Sequence, residues 1–317
     1  MHILLVTKDK GSFNFVEPGY RELIKRGHRV RIVAEGLSAE LWQKTGAEIV
    51  SDGSALLHDI IVVGASSPIN LEQFYADFAN VNGIPLVIAE DSFGAANRVD
   101  GDAKLIVTIN SISGRLIEKG RHGETPWKAV GSAVVAEPGV SPELQSERLR
   151  LTGGEKQLVL YAGQGGEFTK AIFKKMLELV SVDKTVIVLK HHPKFPMPDL
   201  ERSDRFAESP FGSDDLARIA DYTVSCFGTA LNISAANGRK PICVWTPETA
   251  REFRKQTGLE EHPLYASGLV GTAITESWSL ESVIWRTVTD DEREAARREI
   301  SRKLDPSAFA DAIEGAA

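Results

Sequence analysis

Residues 2–34 read HILLVTKDKGSFNFVEPGYRELIKRGHRVRIVA, and this stretch decides the fold. The apolar run Ile3–Thr7 is typical of a buried strand, and Val30–Ala34 is typical of a second one. Between them, residues from about 16 to 25 have helical spacing, and the helix is expected to stop near Gly27. Two buried strands joined by a helix predict a parallel α/β sheet.

The same alternation of buried strands and helices continues to about residue 119 and starts again after residue 156. Further strands are predicted at 60–63, 86–89, 105–108, 158–162, 186–189, 222–226 and 241–245. Residues 137–155 carry prolines, glycines and charges without strand periodicity. We therefore predict two Rossmann-like, doubly wound parallel-sheet α/β domains that face a cleft, over residues 1–136 and 156–317. Residues 137–155 are the predicted linker, and the second domain ends in a helical tail.

The composition fits a globular protein, with 42% hydrophobic and 26% charged residues. The 37 Lys and Arg against 44 Asp and Glu leave a net charge of -7, which argues against a general nucleic-acid binder. Only two cysteines occur, so the chain lacks a disulfide framework and fits a reducing cytoplasm. The apolar runs are strand-sized, and no signal peptide or transmembrane segment is predicted. The basic residues of the first domain are compatible with peripheral contact with a membrane surface.

Ligands of an open parallel sheet bind beyond the carboxyl ends of the strands, so the loops after the strands are the candidate ligand-binding segments. Gly11-Ser12-Phe13-Asn14 follows the first strand, and its glycine and the next helix N-terminus favour an anion or a polar group. An ordinary turn capped by Ser or Asn is the alternative. Glu90-Asp91 follows the strand at 86–89, with Arg98 nearby. Asp91 is a candidate general base, or alternatively the cap of a turn.

Two glycine- or histidine-containing loops stand out in the second domain. Gly163-Gln164-Gly165-Gly166 leaves backbone N–H groups open to a diphosphate, and a flexible turn is the alternative. The next strand runs into His191-His192-Pro193. Neighbouring side chains of an extended segment point to opposite sides, so one imidazole on a phosphate is favoured over a metal shared by both. A surface histidine pair is the alternative.

Two more candidate loops follow. Ser225, Gly228 and Thr229 lie at a predicted helix start and could cradle an anion or a sugar, although Thr229 could simply cap the helix. Glu248 could accept hydrogen bonds from sugar or ribose hydroxyls, or act as a first-turn acid of a helix. Asp100-Gly101-Asp102 does not follow an apolar strand and is predicted to be a turn, so no metal site is expected.

Together these elements resemble the GT-B superfamily of nucleotide-sugar glycosyltransferases. Residues 3–30, ending in R-G-H-x-V, are similar to the family's first strand, acceptor-side loop and entry to strand two, and 220–241 are similar to its donor-binding segment. Lys190-His191-His192-Pro193 is similar to the K-x-H-P of capsule, sialic-acid and polyol-phosphate transferases. Residues 88–98 look like a segment of nucleotide-sugar hydrolases related to the peptidoglycan-precursor N-acetylglucosaminyltransferase group.

The resemblance implies that the second domain binds a nucleotide-sugar donor. Its phosphates would lie at Gly163–Gly166, Gly228-Thr229 and His192, with Glu248 near the ribose or the sugar. A glycan, lipid-linked or small-molecule acceptor would lie against the first domain. The acceptor-side candidates are Gly11, Ser12 and Arg98, and the catalytic candidates are Asp91 and Asn14.

The chain also departs from the family. Many relatives have a catalytic His in the first loop, where this chain offers Ser12 and Asn14, and a Glu where Asn232 stands. The expected function is metal-independent glycosyl transfer in polysaccharide biosynthesis, without a cofactor beyond the nucleotide-sugar co-substrate. A nucleotide-sugar hydrolase or epimerase on the same fold and a non-catalytic nucleotide-sugar binder are the alternatives.

Overall fold

The computed structural model describes residues 1–51, 57–65, 70–121, 125–134, 139–164, 167–181, 183–191, 206–273 and 280–317. The chain divides into two compact units. The first contains Met1–Ala136, Gln256–Gly258 and Arg302–Ala317, and the second contains Glu137–Lys255 and Leu259–Ser301.

The first unit is built on a six-stranded parallel sheet. Its strands and intervening helices are β1 His2–Thr7, α1 Lys10–Lys25, β2 Arg29–Ala34, α2 Gly36–Thr45, β3 Ile60–Gly64, α3 Asn70–Val81, β4 Leu86–Glu90, β5 Leu105–Thr108, α4 Ser111–Gly120 and β6 Trp127–Ala129. A short 3-10 helix, Ala95–Arg98, follows β4. The strand order is β2-β1-β3-β4-β5-β6, and the four inner strands bury both faces because helices cover them.

The second unit is built on a five-stranded parallel sheet. Its elements are α5 Pro142–Thr152, β7 Gln157–Ala162, α6 Glu167–Leu179, β8 Thr185–Lys190, α7 Ser213–Ile219, β9 Tyr222–Ser225, α8 Thr229–Ala236, β10 Lys240–Val244, α9 Pro247–Thr257, β11 Gly271–Ala273 and α10 Asp290–Ile300. The strand order is β11-β10-β9-β7-β8. Its core joins inward residues of these strands to α6 and α9 through Phe173 and Phe253.

Both sheets reverse their winding direction at one place. In the first unit β1 lies between β2 and β3, and in the second unit β7 lies between β8 and β9. Such a reversal leaves a crevice beyond the carboxyl ends of the two central strands, which is where open α/β sheets bind ligands. The β1/β3 and β7/β9 switch points are therefore the two positions at which this topology favours a ligand site.

The predicted pair of doubly wound parallel sheets is confirmed. One local prediction was wrong, because Gly11–Asn14 is not a loop but part of α1, which begins at Lys10. Asp9 is responsible for the early start, since its carboxylate accepts a hydrogen bond from Ser12 N at 2.9 Å and so caps the helix. Asn14 therefore lies in the second turn of α1 rather than in a strand-to-helix loop.

The predicted linker contains a helix of the second unit. Ser141 caps α5 by accepting a hydrogen bond from Leu144 N at 3.3 Å, Pro142 occupies its first turn, and Gly153 ends it in a left-handed conformation. These are ordinary start and stop signals. The same residues show no strand periodicity, and for that reason the segment was predicted to be a linker.

The helical tail is divided between the units, which corrects its assignment to the second domain. Thr289 caps α10 with a capping box, and α10 belongs to the second unit. A last helix, α11 Pro306–Ala316, belongs to the first unit and packs on α1. No helix in the described part of the chain is long and apolar enough to cross a membrane.

Candidate functional site

Two glycines bring the elements of the β1/β3 switch point close together. A Cβ atom on Gly64, at the end of β3, would come within 2.6 Å of the Ser12 Cβ. A Cβ atom on Gly11, in the first turn of α1, would come within 2.0 Å of an Asp91 carboxylate oxygen. Side chains at these positions would push α1 away from β3 and from the residue that follows β4. A side chain at residue 11 would therefore displace the Asp91 carboxylate from its present position.

Asp91 is a carboxyl group at this crevice, and its charge, like that of the neighbouring Glu90, is strongly disfavoured. It follows β4 directly and is partly buried. Burial and, to a smaller extent, the nearby Asp9 carboxylate raise the pKa of Asp91 to about 7, while the Arg98 guanidinium acts in the opposite direction. A carboxyl group with this pKa can take up and release a proton near neutral pH.

Glu90 holds the segment that carries Asp91. This last residue of β4 is fully buried and accepts hydrogen bonds from Ala96 N at 2.8 Å and from Thr108 Oγ1 at 2.9 Å, as well as from the Ser113 hydroxyl. Burial raises the pKa of Glu90 to about 7, and these donors oppose the shift. Because both carboxylate oxygens are engaged, Glu90 acts as a positioning residue for the turn after β4.

Arg98 supplies positive charge beside these acids. Its Nη2 donates to the carbonyl of Ala65 at 3.2 Å and its Nε donates to the carbonyl of Ala95 at 3.4 Å. Burial lowers the pKa of Arg98, and attraction from Asp91 and Asp9 opposes that effect. The structure thus brings together three of the predicted residues, Gly11, Asp91 and Arg98.

Sequence reasoning did not select Asp9 as a site residue, and it noted Glu90 only as the acid beside Asp91 at the end of the strand. The signal for Asp9 was present, because an Asp between a strand and a helical pattern is a typical helix cap. Its proximity to Asp91 depends on how β1 and β4 are placed in the sheet. No local pattern shows this.

The β7/β9 switch point also contains a close approach that requires glycine. Gly228 has a φ of 155°, and a Cβ atom there would come within 2.6 Å of the Gln164 Nε2. Gly163 N donates to the Lys190 carbonyl at 2.8 Å. The Ser225 hydroxyl donates to the Ala162 carbonyl at 2.8 Å, so this hydroxyl joins the ends of β9 and β7. Thr229 is the exposed first residue of α8.

The remaining predicted donor residues divide into two groups. Gly165, Gly166 and His192 lie outside the described residues, and His191 is exposed at the end of β8. Glu248 is exposed in the first turn of α9, where its own backbone N–H and then the Thr246 side chain lower the pKa of its carboxyl group. This geometry agrees with the alternative interpretation of Glu248 as a first-turn acid. Among the described residues, no group of three or more His, Cys, Asp or Glu side chains could hold a metal ion.

No family model matches the chain, and no curated protein matches its sequence. Solved structures do match over almost the whole chain. The calicheamicin glycosyltransferase CalG4 is 13% identical with a TM-score of 0.65, and 99% of this chain and 97% of that chain are covered. The UDP-GlcNAc 2-epimerase of Methanocaldococcus jannaschii, in complex with UDP-GlcNAc and UDP, is 14% identical with a TM-score of 0.61 and 99% of both chains covered.

HepE of Anabaena, in complex with UDP-glucose, is 13% identical with a TM-score of 0.58, and 99% of this chain and 98% of that chain are covered. At such identities the likeness concerns the fold. Two Rossmann-like parallel-sheet units that match these proteins from end to end show that the chain has the GT-B fold.

The close approach of Gly11 to Asp91 leads to a direct prediction. Gly11→Ala should displace the Asp91 side chain, and any reaction in which Asp91 moves a proton should slow by roughly 10-fold or more, since small misplacements of a reacting group reduce the rate steeply. The control is Gly315→Ala in α11, where a Cβ atom meets nothing within 4 Å. Steady-state kinetics of both variants test the prediction, and equal rates would show that the contact does not position Asp91.

Proposed function

We propose that the chain is a glycosyltransferase that moves a sugar from a nucleotide-activated donor to an acceptor hydroxyl without a metal ion. The second unit binds the donor at the β7/β9 switch point, and the first unit binds the acceptor at the β1/β3 switch point. The observation that carries the proposal is Asp91, a carboxyl group with a pKa of about 7 at the end of β4.

The first unit would supply the base. The ionised Asp91 carboxylate accepts the proton of the acceptor hydroxyl as its oxygen attacks the anomeric carbon of the donor sugar. Arg98 stabilises the ionised form of Asp91, and Glu90 holds the turn that carries it. The acceptor is a glycan, a lipid-linked sugar or a small molecule, and Gly11 and Ser12 provide the backbone surface beside it.

The second unit would hold the leaving nucleotide. Backbone N–H groups at Gly228 and at the start of α8 are suited to the negative charge that develops on the departing diphosphate. Gly163 provides a backbone without a side chain at the end of β7. Gly165, Gly166 and His192 are further predicted phosphate contacts. The matched epimerase and HepE structures contain UDP-GlcNAc, UDP or UDP-glucose, so uridine diphosphate sugars are the first donors to test.

An epimerase or a hydrolase is the second candidate function, because UDP-GlcNAc 2-epimerases share the fold over the whole chain. Both reactions would act on the donor without an acceptor. The chain is therefore incubated with a panel of nucleotide sugars, first alone and then with acceptors, and the products are separated by chromatography and mass spectrometry. Consumption only with an acceptor supports transfer. Consumption without one supports epimerisation or hydrolysis, and binding without turnover identifies a non-catalytic nucleotide-sugar protein.

Donor binding is tested separately by thermal unfolding with nucleotides, because a ligand at 100 times its dissociation constant stabilises a protein by about 2.7 kcal/mol. Gly228→Val should reduce the nucleotide-dependent shift, since residue 228 has a φ of 155° and a side chain there collides with Gln164. Gly139→Val is the matched control, because a Cβ atom there meets nothing within 4 Å. A full shift in Gly228→Val would place nucleotide binding elsewhere.

The pKa of Asp91 predicts how turnover depends on pH. A base must be ionised, and a pKa of about 7 leaves Asp91 mostly protonated at pH 6. The value of kcat/KM should therefore fall about 10-fold for each pH unit below 7 and become constant above it. Rates measured between pH 5.5 and 8.5 check this, and a profile that is flat between pH 6 and 8 would remove Asp91 as the base.

A further inference from the structure

A cavity of about 360 Å³ lies at the amino-terminal end of β10 in the second unit. Lys240, the first residue of β10, lines it, and Lys240 pairs with Tyr222 at the start of β9. The β7/β9 switch point lies at the opposite ends of these strands, roughly 13 Å away along β10. The cavity is therefore distinct from the proposed donor site, and its volume is typical of small-molecule sites.

The lining of this cavity is strongly cationic. Four of its nine lining residues carry a positive charge and none is acidic. Arg239 and Lys240 come from the start of β10, while Arg293 and Arg297 lie four residues apart on α10 and so share one face of that helix. Cations gathered in a cavity raise the local potential and attract anions.

Two of the guanidinium groups are held in place by backbone carbonyls. Arg239 Nε donates to the Arg218 carbonyl at 3.0 Å, and Arg297 Nε donates to the Ala235 carbonyl at 3.3 Å. A guanidinium has five N–H donors, so the Nε bond takes up one of them. Because these side chains are already positioned, an anion would bind them with little loss of side-chain entropy.

The acids near the cavity pair with the helix arginines from α10 itself. Asp290 accepts from Arg293 at 3.0 Å, and Glu294 accepts from Arg297 at 2.5 Å. Both acids are exposed and neither lines the cavity. These pairs span three residues along one helix and orient the two arginines. Exposed ion pairs of this kind are weak, so an anion that binds the arginines more strongly can displace the carboxylates.

An aromatic side chain lies beside the cationic residues of the cavity. The Trp285 side chain lines the cavity and lies over Gly271, where a Cβ atom would come within 2.7 Å of the indole ring. Trp285 is 37% exposed, so one part of the ring is available to a ligand. A flat, electron-rich ring next to arginines suits a ligand that combines an aromatic ring with an anionic group.

We propose that this cavity is a second nucleotide site, which binds the phosphates of a nucleoside diphosphate through Arg239, Lys240, Arg293 and Arg297 and stacks its base on Trp285. The site is separate from the donor site of the proposed function, and neither site depends on the other.

The test uses the full chain labelled with 5-fluorotryptophan. The chain has five tryptophans, and Trp285→Phe identifies the ¹⁹F resonance of Trp285. Adenosine diphosphate, uridine diphosphate and inorganic pyrophosphate are the probes. We expect a nucleoside diphosphate to shift the Trp285 resonance in a saturable way, and pyrophosphate to bind at least 10-fold more weakly because it has no base to stack.

The charge contribution is tested with Lys240→Gln/Arg293→Gln. Removal of a hydrogen bond to a charged group weakens binding about 10- to 100-fold, so the double variant should bind at least 100-fold more weakly at this site. Arg298→Gln is the matched control, since Arg298 is exposed on α10 and does not line the cavity. Circular dichroism and thermal unfolding establish that the variants are folded.

The proposal is overturned by a Trp285 resonance that does not move, by a double variant that binds like the unchanged chain, or by pyrophosphate that binds as tightly as the nucleotides. Gly228→Val distinguishes the two sites, because it should reduce donor binding and leave the Trp285 titration unchanged. Loss of the Trp285 response in Gly228→Val would mean that the response comes from the donor site, which also overturns the proposal.

Discussion

Asp91→Asn should lower turnover of the nucleotide sugar by roughly 10²- to 10⁴-fold, the range for removal of a general base. Asparagine has nearly the same shape as aspartate but cannot accept a proton from an attacking hydroxyl near neutral pH. Nucleotide affinity should change little, because the proposed donor residues belong to the second unit, and calorimetry with the nucleotide measures this. The expected result is therefore a large fall in kcat with an almost unchanged dissociation constant.

The stability of Asp91→Asn separates a chemical effect from unfolding. The pKa of Asp91 is raised from 3.8 to about 7 in the folded chain, so its carboxyl group stabilises the fold most below pH 3.8, and this stabilisation is lost as the pH rises through 7. At pH 8 the neutral amide avoids the cost of a charged, desolvated carboxylate. The variant should therefore be at least as stable as the unchanged chain at pH 8.

The control for this experiment is Asp102→Asn, which makes the same chemical change at an exposed position of the same unit. Its turnover should equal that of the unchanged chain. Normal turnover in Asp91→Asn would assign Asp91 to the structure of the turn after β4. Equal losses in both variants would show that the overall charge of the first unit, rather than a proton transfer, is responsible.

The parallel sheets could be predicted from the sequence because the signal for a buried strand is local. Ile60–Val63 and Leu86–Ala89 are continuous apolar runs, and a run of this kind is consistent with a strand covered on both faces. The short strands Trp127–Ala129 and Gly271–Ala273 were missed, because three residues are too few to show any periodicity. The position of Asp91 at the carboxyl end of β4 followed from the same local signal.

The parts of the candidate site that were missed depend on tertiary contacts. Asp9 approaches Asp91 because Gly11 allows α1 to begin against the end of β4. Glu90 is engaged by Thr108 and Ser113, which come from β5 and α4. The cationic cavity combines residues from the start of β10 with two arginines that are more than 50 positions further along the chain. Each of these arrangements joins residues that are far apart in the sequence, where local patterns carry no information.

The assignment of α11 to the first unit leads to the second large prediction, because this helix is fixed by one fully buried ring. Phe309 has no exposed surface, and its ring packs edge-on against Phe15 with 6.0 Å between the centroids. It fills the space above Gly19 of α1, where a Cβ atom would come within 2.2 Å of the ring. Arg26 of α1 adds hydrogen bonds to Asp311 at 2.7 Å and Glu314 at 2.8 Å, which are partly exposed and therefore contribute less.

Phe309→Ala should lower the free energy of unfolding of the first unit by about 3–5 kcal/mol, the usual cost of deleting a buried phenylalanine ring. Phe74→Ala is the matched control, because Phe74 lies on α3 of the same unit with 55% of its surface exposed, and it should cost much less. Hydrogen exchange followed by mass spectrometry measures each unit separately, which is necessary because two units need not unfold together. Exchange should accelerate in peptides from β1 and α1 of Phe309→Ala and stay unchanged in peptides from β7 and β9. Equal exchange in the two phenylalanine variants, or acceleration confined to the second unit, would show that α11 does not stabilise the first unit.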